Sequence, residues 1–345
     1  MKIVFRVDAS LKIGTGHIMR CLTLAQELKK RGANVVFICR SIEGNLHEMV
    51  ESKGVKVVKL PQSNSVNESY CFHSNWLDAH WQEDATQSLL HIKGADWLIV
   101  DHYALDEKWE SIIHPHIDKI LVIDDLADRE HVCDILLDQN YYLNAETRYK
   151  HLVNKECQLM LGPKFALLRE EFAYARARLK RGFSEIKKIM VFFGGVDANN
   201  DAGKAIEAIS GFKGEVIIVS GYTNKNLSKL EDFCTEHSNF RLFRSINNMA
   251  ELMANADLAI GAGGSTSWER AATGLPTLAW PIAENQIHVL YDLSKAGIVK
   301  LTSPEKLEDD LILLNGGERM EMSRKGMEIC DGEGTVRVAN KLWSR

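Results

Sequence analysis

Residues 2–40 read KIVFRVDASLKIGTGHIMRCLTLAQELKKRGANVVFICR, and the order of their parts decides the fold. KIVFRV (2–7) is a short apolar strand that runs into a glycine loop. Beyond the loop Ile18, Cys21, Leu22, Ala25 and Leu28 recur at helical spacing, and Lys30-Arg31-Gly32 ends that helix with a basic last turn and a glycine stop. NVVFICR (34–40) is the next strand. Strand, helix, strand in this order is a βαβ unit, which implies a parallel sheet.

The same form repeats outward. VKVVKL (55–60), WLIVDHY (97–103), KILVIDD (119–125) and CDILLDQN (133–140) are apolar runs, and the last three end in polar residues. Ligands of such sheets bind beyond the carboxyl ends of the strands. Asp101, His102, Tyr103, Asp124, Asp125, Asp138, Gln139 and Asn140 all fall there. The alternation pauses over 157–181, a Gly-Pro break followed by a charged amphipathic helix, and a second series starts at KKIMVFFGGVDANND (187–201). The chain therefore reads as α/β throughout, with a first domain over 1–165, a linker helix over 166–186, a second domain over 187–320 and a C-terminal helix over 321–345 that packs back across both. Two such halves predict a cleft with a ligand held from both sides.

Bulk properties narrow the function. The 345 residues exceed one ordinary core and suit two domains. The net charge is -5 and no basic tract occurs, which excludes nucleic acid as the expected partner. MKIVFRVDAS reads as the start of a mature strand rather than a signal peptide, and no apolar run is long enough to span a membrane, so a cytoplasmic protein is expected. The seven cysteines are odd in number, scattered and without CxxC, a pattern of reduced core thiols.

Four loops carry candidate chemistry. GAGGSTSWE (261–269) follows the strand DLAI and opens a helix. Glycines there admit a ligand to the backbone, helix-start N–H groups suit a phosphate, and Glu269 suits paired sugar hydroxyls. It also reads as a tight turn without a ligand. It is not GxGxxG, and no Walker A motif occurs, which disfavours nicotinamide and ATP chemistry. FFGGVDANND (192–201) is a second glycine turn, where Asp197 or Asn200 caps the next helix or meets a ligand. PIAENQIHVL (281–290) sets Glu284, Asn285 and Gln286 after a strand, suited to sugar hydroxyls or to a solvated loop. His17 stands in the first turn of its helix with Gly14 and Gly16 beside it. The positive helix end biases the imidazole toward the neutral form of a general base, and the competing reading is a local cap or filler. No HExxH or DxD pattern is present, and no metal or other cofactor is expected.

FRVDASLKIGTGHIMRCLTLAQEL, VDHYALDEKWE, GPKFALLREEF, FFGGVDANND and GAGGSTSWERAATGLPTL together resemble the UDP-sugar hydrolases of pseudaminic acid biosynthesis, the PseG family. The GAGGS…E element is also shared with GT-B glycosyltransferases such as the MurG type. The resemblance implies a GT-B fold of two Rossmann-like domains facing a cleft, and hydrolysis of UDP-2,4-diacetamido-2,4,6-trideoxy-β-L-altropyranose with inversion and without a metal. It implies His17 as the base, Tyr103 and Asn285 on the sugar or the water, Glu269 on the ribose, Gly264-Ser265 on the diphosphate and Asn200 facing the ligand, here with Ala198 and Asp201 as departures beside it. Gly14, Gly16 and Arg20 complete the expected substrate-side set. Flagellin glycosylation is the implied setting, and a monomer is expected apart from the resemblance. The alternatives are an inverting UDP-sugar glycosyltransferase and a non-catalytic nucleotide-sugar binder.

Overall fold

The computed structural model describes residues 1–63, 71–221 and 224–344. They form two compact units, one of 1–140, 144–167 and 335–345, the other of 141–143 and 168–334, each around its own parallel sheet. In the first unit β1 (Lys2–Val7), β2 (Asn34–Arg40), β3 (Lys56–Leu60), β4 (Trp97–Asp101), β5 (Lys119–Ile123), β6 (Ile135–Asp138) and β7 (Gln158–Leu161) lie in the order β3-β2-β1-β4-β5-β6-β7. Phe5 at the centre is in register with Phe37 on one side and Ile99 on the other.

The apolar runs are unbroken because both sheet faces are covered. Successive side chains of β1 point to opposite faces. Ile3, Phe5 and Val7 join Ile18, Leu24, Val338, Ala339 and Leu342 in one core, while Val4 joins Leu98 and Trp109 in another. Arg6 is fully buried. Its guanidinium grips Asp84 through Nε (3.0 Å) and NH2 (2.6 Å) and lies 2.8 Å from Asp8. Asp84 also accepts from Arg40 at 2.5 Å and from Trp109 Nε1 at 3.0 Å. Two buried cations thus meet two buried carboxylates, the arrangement in which burying charge is tolerable.

The strand order reverses between β1 and β4, so the loops leaving their carboxyl ends diverge and leave a crevice. The second unit repeats the device. There β8 (Lys188–Phe192), β9 (Glu215–Ser220), β10 (Phe240–Arg244), β11 (Leu258–Gly261), β12 (Thr277–Ala279) and β13 (Lys300–Leu301) lie in the order β10-β9-β8-β11-β12-β13. Its reversal falls between β8 and β11, the strands that lead into the two glycine turns.

Two helical expectations need correction. The linker helix is confined to Glu170–Ala177. The tail is two helices, Gly316–Ile329 and Gly334–Trp343. Gly332 separates them with φ +86°, and a Cβ there would lie 3.1 Å from the Ala173 backbone. The first helix belongs to the second unit, and the last one closes the first unit's core, where Trp97 Nε1 donates to the Leu342 carbonyl at 3.1 Å.

Candidate active site

The first unit's crevice holds a connected set of polar side chains. His17, Arg20 and Cys21 lie three and four residues apart on the helix Gly16–Lys30, hence on one face. That face meets Asp101, the last residue of β4, which is fully buried. Asp101 Oδ1 lies 2.5 Å from His17 Nδ1, and its two oxygens accept from Arg20 Nε and NH2 at 2.7 Å each. Cys21 Sγ adds a contact at 3.3 Å. Burial alone would raise the Asp101 carboxyl, but the Arg20 guanidinium and His17 outweigh it and hold the group well below the usual carboxylate range. In a neutral ring an ionised Asp101 favours the tautomer whose Nδ1–H it accepts, which leaves the lone pair on Nε2. Nε2 has no hydrogen-bond partner among the described residues.

Tyr103 stands edge-on to the His17 ring at 4.6 Å. Its hydroxyl donates to Asp125, and burial followed by the Asp125 charge pushes the phenol well up. Asp125 also receives Arg20 NH1 at 3.3 Å and Asn140 Nδ2 at 3.2 Å. The strand-end residues therefore converge as the parallel sheet predicts, with Asp101 as the hub. Trp76 and His73 complete an aromatic cluster, with Trp76 stacked on Tyr103 at 5.6 Å and His73 at 4.5 Å from Trp76.

The other predicted residues fall in both units. Gly14 has φ +78°, and a Cβ at Gly14 or Gly16 would meet nothing within 4 Å, so the loop leaves space in front of the histidine. Arg20 is buried, with its guanidinium directed at Asp101 and Asp125. In the second unit Ser265 caps the helix Thr266–Ala272 by position only, making no side-chain cap bond, and a Cβ at Gly264 would lie 3.7 Å from Gln286 Nε2. Gly261 and Gly263 answer packing instead, since a Cβ would lie 2.5 Å from the Phe192 carbonyl oxygen and 2.5 Å from Leu290 respectively. Glu269 Oε1 is 3.7 Å from Arg169 NH2. Burial pushes its carboxyl up to about 7 against the pull of Arg169.

Asn285 is exposed at the first position of the helix Asn285–Lys295. Its neighbour Gln286 turns inward, and its Oε1 accepts from the Gly263 and Ile282 N–H groups at 3.1 Å each. Asn200 adopts the left-handed conformation, φ +55°, before the helix Asp201–Ala208. Asp197 is the cap, its carboxylate accepting from Asp201 N (2.8 Å) and Ala202 N (3.0 Å).

The sequence marks Asp101 and Asp125 only as strand-end residues, leaves His73 among the weaker histidine candidates and does not mark Trp76. The βαβ pattern carried the signal for Asp101, because the strand order puts β4 beside β1. No periodicity marks Trp76, which sits in a single turn, Ser74–Trp76.

Comparison with known proteins adds an independent line. Residues 189–312 match the glycosyltransferase family 28 C-terminal domain. Over 261 residues the chain is 33% identical to the UDP-2,4-diacetamido-2,4,6-trideoxy-β-L-altropyranose hydrolase of Campylobacter jejuni, covering 75% of this chain and 84% of that protein. It is 29% identical to a Helicobacter pylori protein described as pseudaminic acid cytidylyltransferase and UDP-2,4-diacetamido-2,4,6-trideoxy-β-L-altropyranose hydrolase, covering 90% of this chain but only 50% of that longer protein. Acinetobacter baumannii MurG superposes with a TM-score of 0.67 at 13% identity, over 100% of this chain and 99% of that one, and places the fold among the GT-B architectures.

Proposed function

The chain belongs to the PseG family of UDP-sugar hydrolases, and from that premise we propose that it hydrolyses UDP-2,4-diacetamido-2,4,6-trideoxy-β-L-altropyranose to UDP and the free sugar in pseudaminic acid biosynthesis. The observation that carries the reading is the His17–Asp101 pair, 2.5 Å apart, with Nε2 unengaged among the described residues. In the proposed step Nε2 takes a proton from water as the water oxygen attacks the anomeric carbon. The C–O bond to the diphosphate breaks with its electron pair, UDP departs as an anion, and the anomeric centre inverts. A positioned base of this kind supplies about 10²–10⁴-fold.

The remaining roles are assigned on the same premise. Tyr103 and Asn285 contact the sugar or the water, Asn200 faces the ligand, and Gly14 and Gly16 leave room for the sugar. Arg20 acts by holding Asp101. The turn at Gly264 and Ser265 takes the diphosphate, and Glu269 takes the ribose hydroxyls. No metal is assigned a part, and the working unit is taken as the single chain.

The test is an NMR time course of the UDP-sugar with the purified protein and no acceptor, with and without chelator. UDP and the inverted free anomer are expected at equal rates in both samples. UDP release only after an acceptor alcohol is added would make the protein a transferase, the reading that the family 28 match favours, and binding without turnover would make it a sensor.

Glu269 gives a pH test. Its folded carboxyl, at about 7, stays protonated well above its ordinary value of 4.5. The folded state thus holds a proton that the unfolded chain releases, a stabilisation fully present below 4.5 and lost as the pH rises through about 7. Ribose hydroxyls donate best to the ionised form. UDP affinity measured by calorimetry is expected to rise from about pH 6 to about pH 8 more steeply in the wild type than in Glu269→Gln, which keeps only the phosphate's own titration. Parallel profiles would remove Glu269 from the nucleotide site.

A further inference from the structure

Trp76 is half-buried and close to the proposed base, and no step above uses it. Its indole stacks on the Tyr103 ring with centroids 5.6 Å apart and planes 28° from parallel, and stands edge-on to His17 at 6.5 Å. His73 packs on both, 4.5 Å from Trp76 and 5.2 Å from Tyr103. The Tyr103 hydroxyl is tied to Asp125, so the ring beneath the indole is fixed in place. The indole N–H has no hydrogen-bond partner among the described residues, and His73 Nδ1 is buried without one. Unlike His73 Nδ1, the indole nitrogen is not buried, so its N–H is open to a ligand. An aromatic face beside an unengaged donor, within ring contact of the base, is complementary to a flat apolar group that carries an acceptor.

An acetamido substituent has that form. Its planar amide and methyl suit the face of the indole, and its carbonyl oxygen suits the N–H. A hydroxyl offers no surface to stack. We propose that Trp76 is a specificity-determining residue that reads an acetamido group of the sugar, with Tyr103 as its fixed backing. This rests on the hydrolase reading for the identity of the sugar, while the aromatic wall stands on its own geometry.

Three proteins decide it: the wild type, Trp76→Phe, which keeps a face and loses the N–H, and Trp76→Ala, which loses both. Trp76→Ala is expected to raise KM for UDP-2,4-diacetamido-2,4,6-trideoxy-β-L-altropyranose about tenfold, leaving kcat within about threefold and the Kd for UDP unchanged. Trp76→Phe is expected to fall between. An unchanged KM overturns the proposal, as does a parallel loss of UDP affinity, which marks a merely structural residue. Saturation transfer from the protein to the acetamido methyls of the free sugar reads the wall without turnover. It is expected in the wild type, reduced in Trp76→Phe and lost in Trp76→Ala. If the wild type cleaves no such UDP-sugar the hydrolase reading falls, and the methyl signal still decides the wall: loss in Trp76→Ala sustains it, while an unchanged signal, or none in the wild type, overturns it.

Discussion

Replacing His17 by asparagine is expected to lower kcat by about 10²–10⁴-fold while the Kd for UDP stays at the wild-type value. The nucleotide roles are assigned to Gly264, Ser265 and Glu269 of the second unit, so the first unit's base affects the reaction of water and not the hold on UDP. Asparagine also tests the chemistry cleanly. Its amide fills part of the space and donates toward Asp101 Oδ1, but it has no nitrogen able to take a proton from water. The fold should tolerate the change, because Asp101 keeps both 2.7 Å bonds from Arg20 and remains a compensated charge. Thermal unfolding followed by circular dichroism should shift by only a few degrees. Turnover within tenfold of wild type, at unchanged Tm, would require another base.

Most of the fold was legible because it rests on local patterns. The strand, glycine loop, helix and strand of residues 2–40 follow from apolar runs and helical spacing, and repetition of that unit is enough to imply parallel sheets with ligands at the strand ends. Arrangements formed by strand order were not legible. Arg6 sits in an apolar strand, and only the folded sheet shows it answered by Asp84, 78 positions away. Asp101 could be read as a strand-end carboxylate, but its pairing with His17 needs β4 to lie against β1, across two intervening strands of chain. The expected tuner of His17 is the helix end, and the structure adds a carboxylate at Nδ1 that favours one tautomer. In ENQ (284–286) three consecutive polar side chains suit sugar hydroxyls or a solvated loop, yet Gln286 satisfies the backbone of the neighbouring turn. The break in the tail depends on Gly332 approaching Ala173, a contact that no local spacing encodes.

The Asp101→Asn variant separates positioning from mere support. The carboxylate presents acceptors to His17 Nδ1, Arg20 Nε, Arg20 NH2 and Cys21 Sγ together. An amide has one acceptor oxygen and one donor nitrogen. With the nitrogen toward His17 it donates to Nδ1, the ring carries its proton on Nε2, and no lone pair faces water. With the oxygen toward His17, the nitrogen faces the Arg20 donors and the guanidinium loses its closest partner, keeping Asp125 at 3.3 Å. The first arrangement takes the lone pair off Nε2, and the second replaces the charged acceptor behind Nδ1 by a neutral one and so weakens the base; kcat is expected to fall by up to about 10²–10⁴-fold. Stability should fall too, toward the 3–5 kcal/mol (order of magnitude) of a broken buried pair. The two effects are distinguished by a double-mutant cycle. If Asp101 acts on catalysis through His17, adding Asp101→Asn to His17→Asn lowers kcat no further, whereas Tm still drops because Arg20 is still deprived. Independent, multiplying losses of kcat would show that Asp101 only supports the fold.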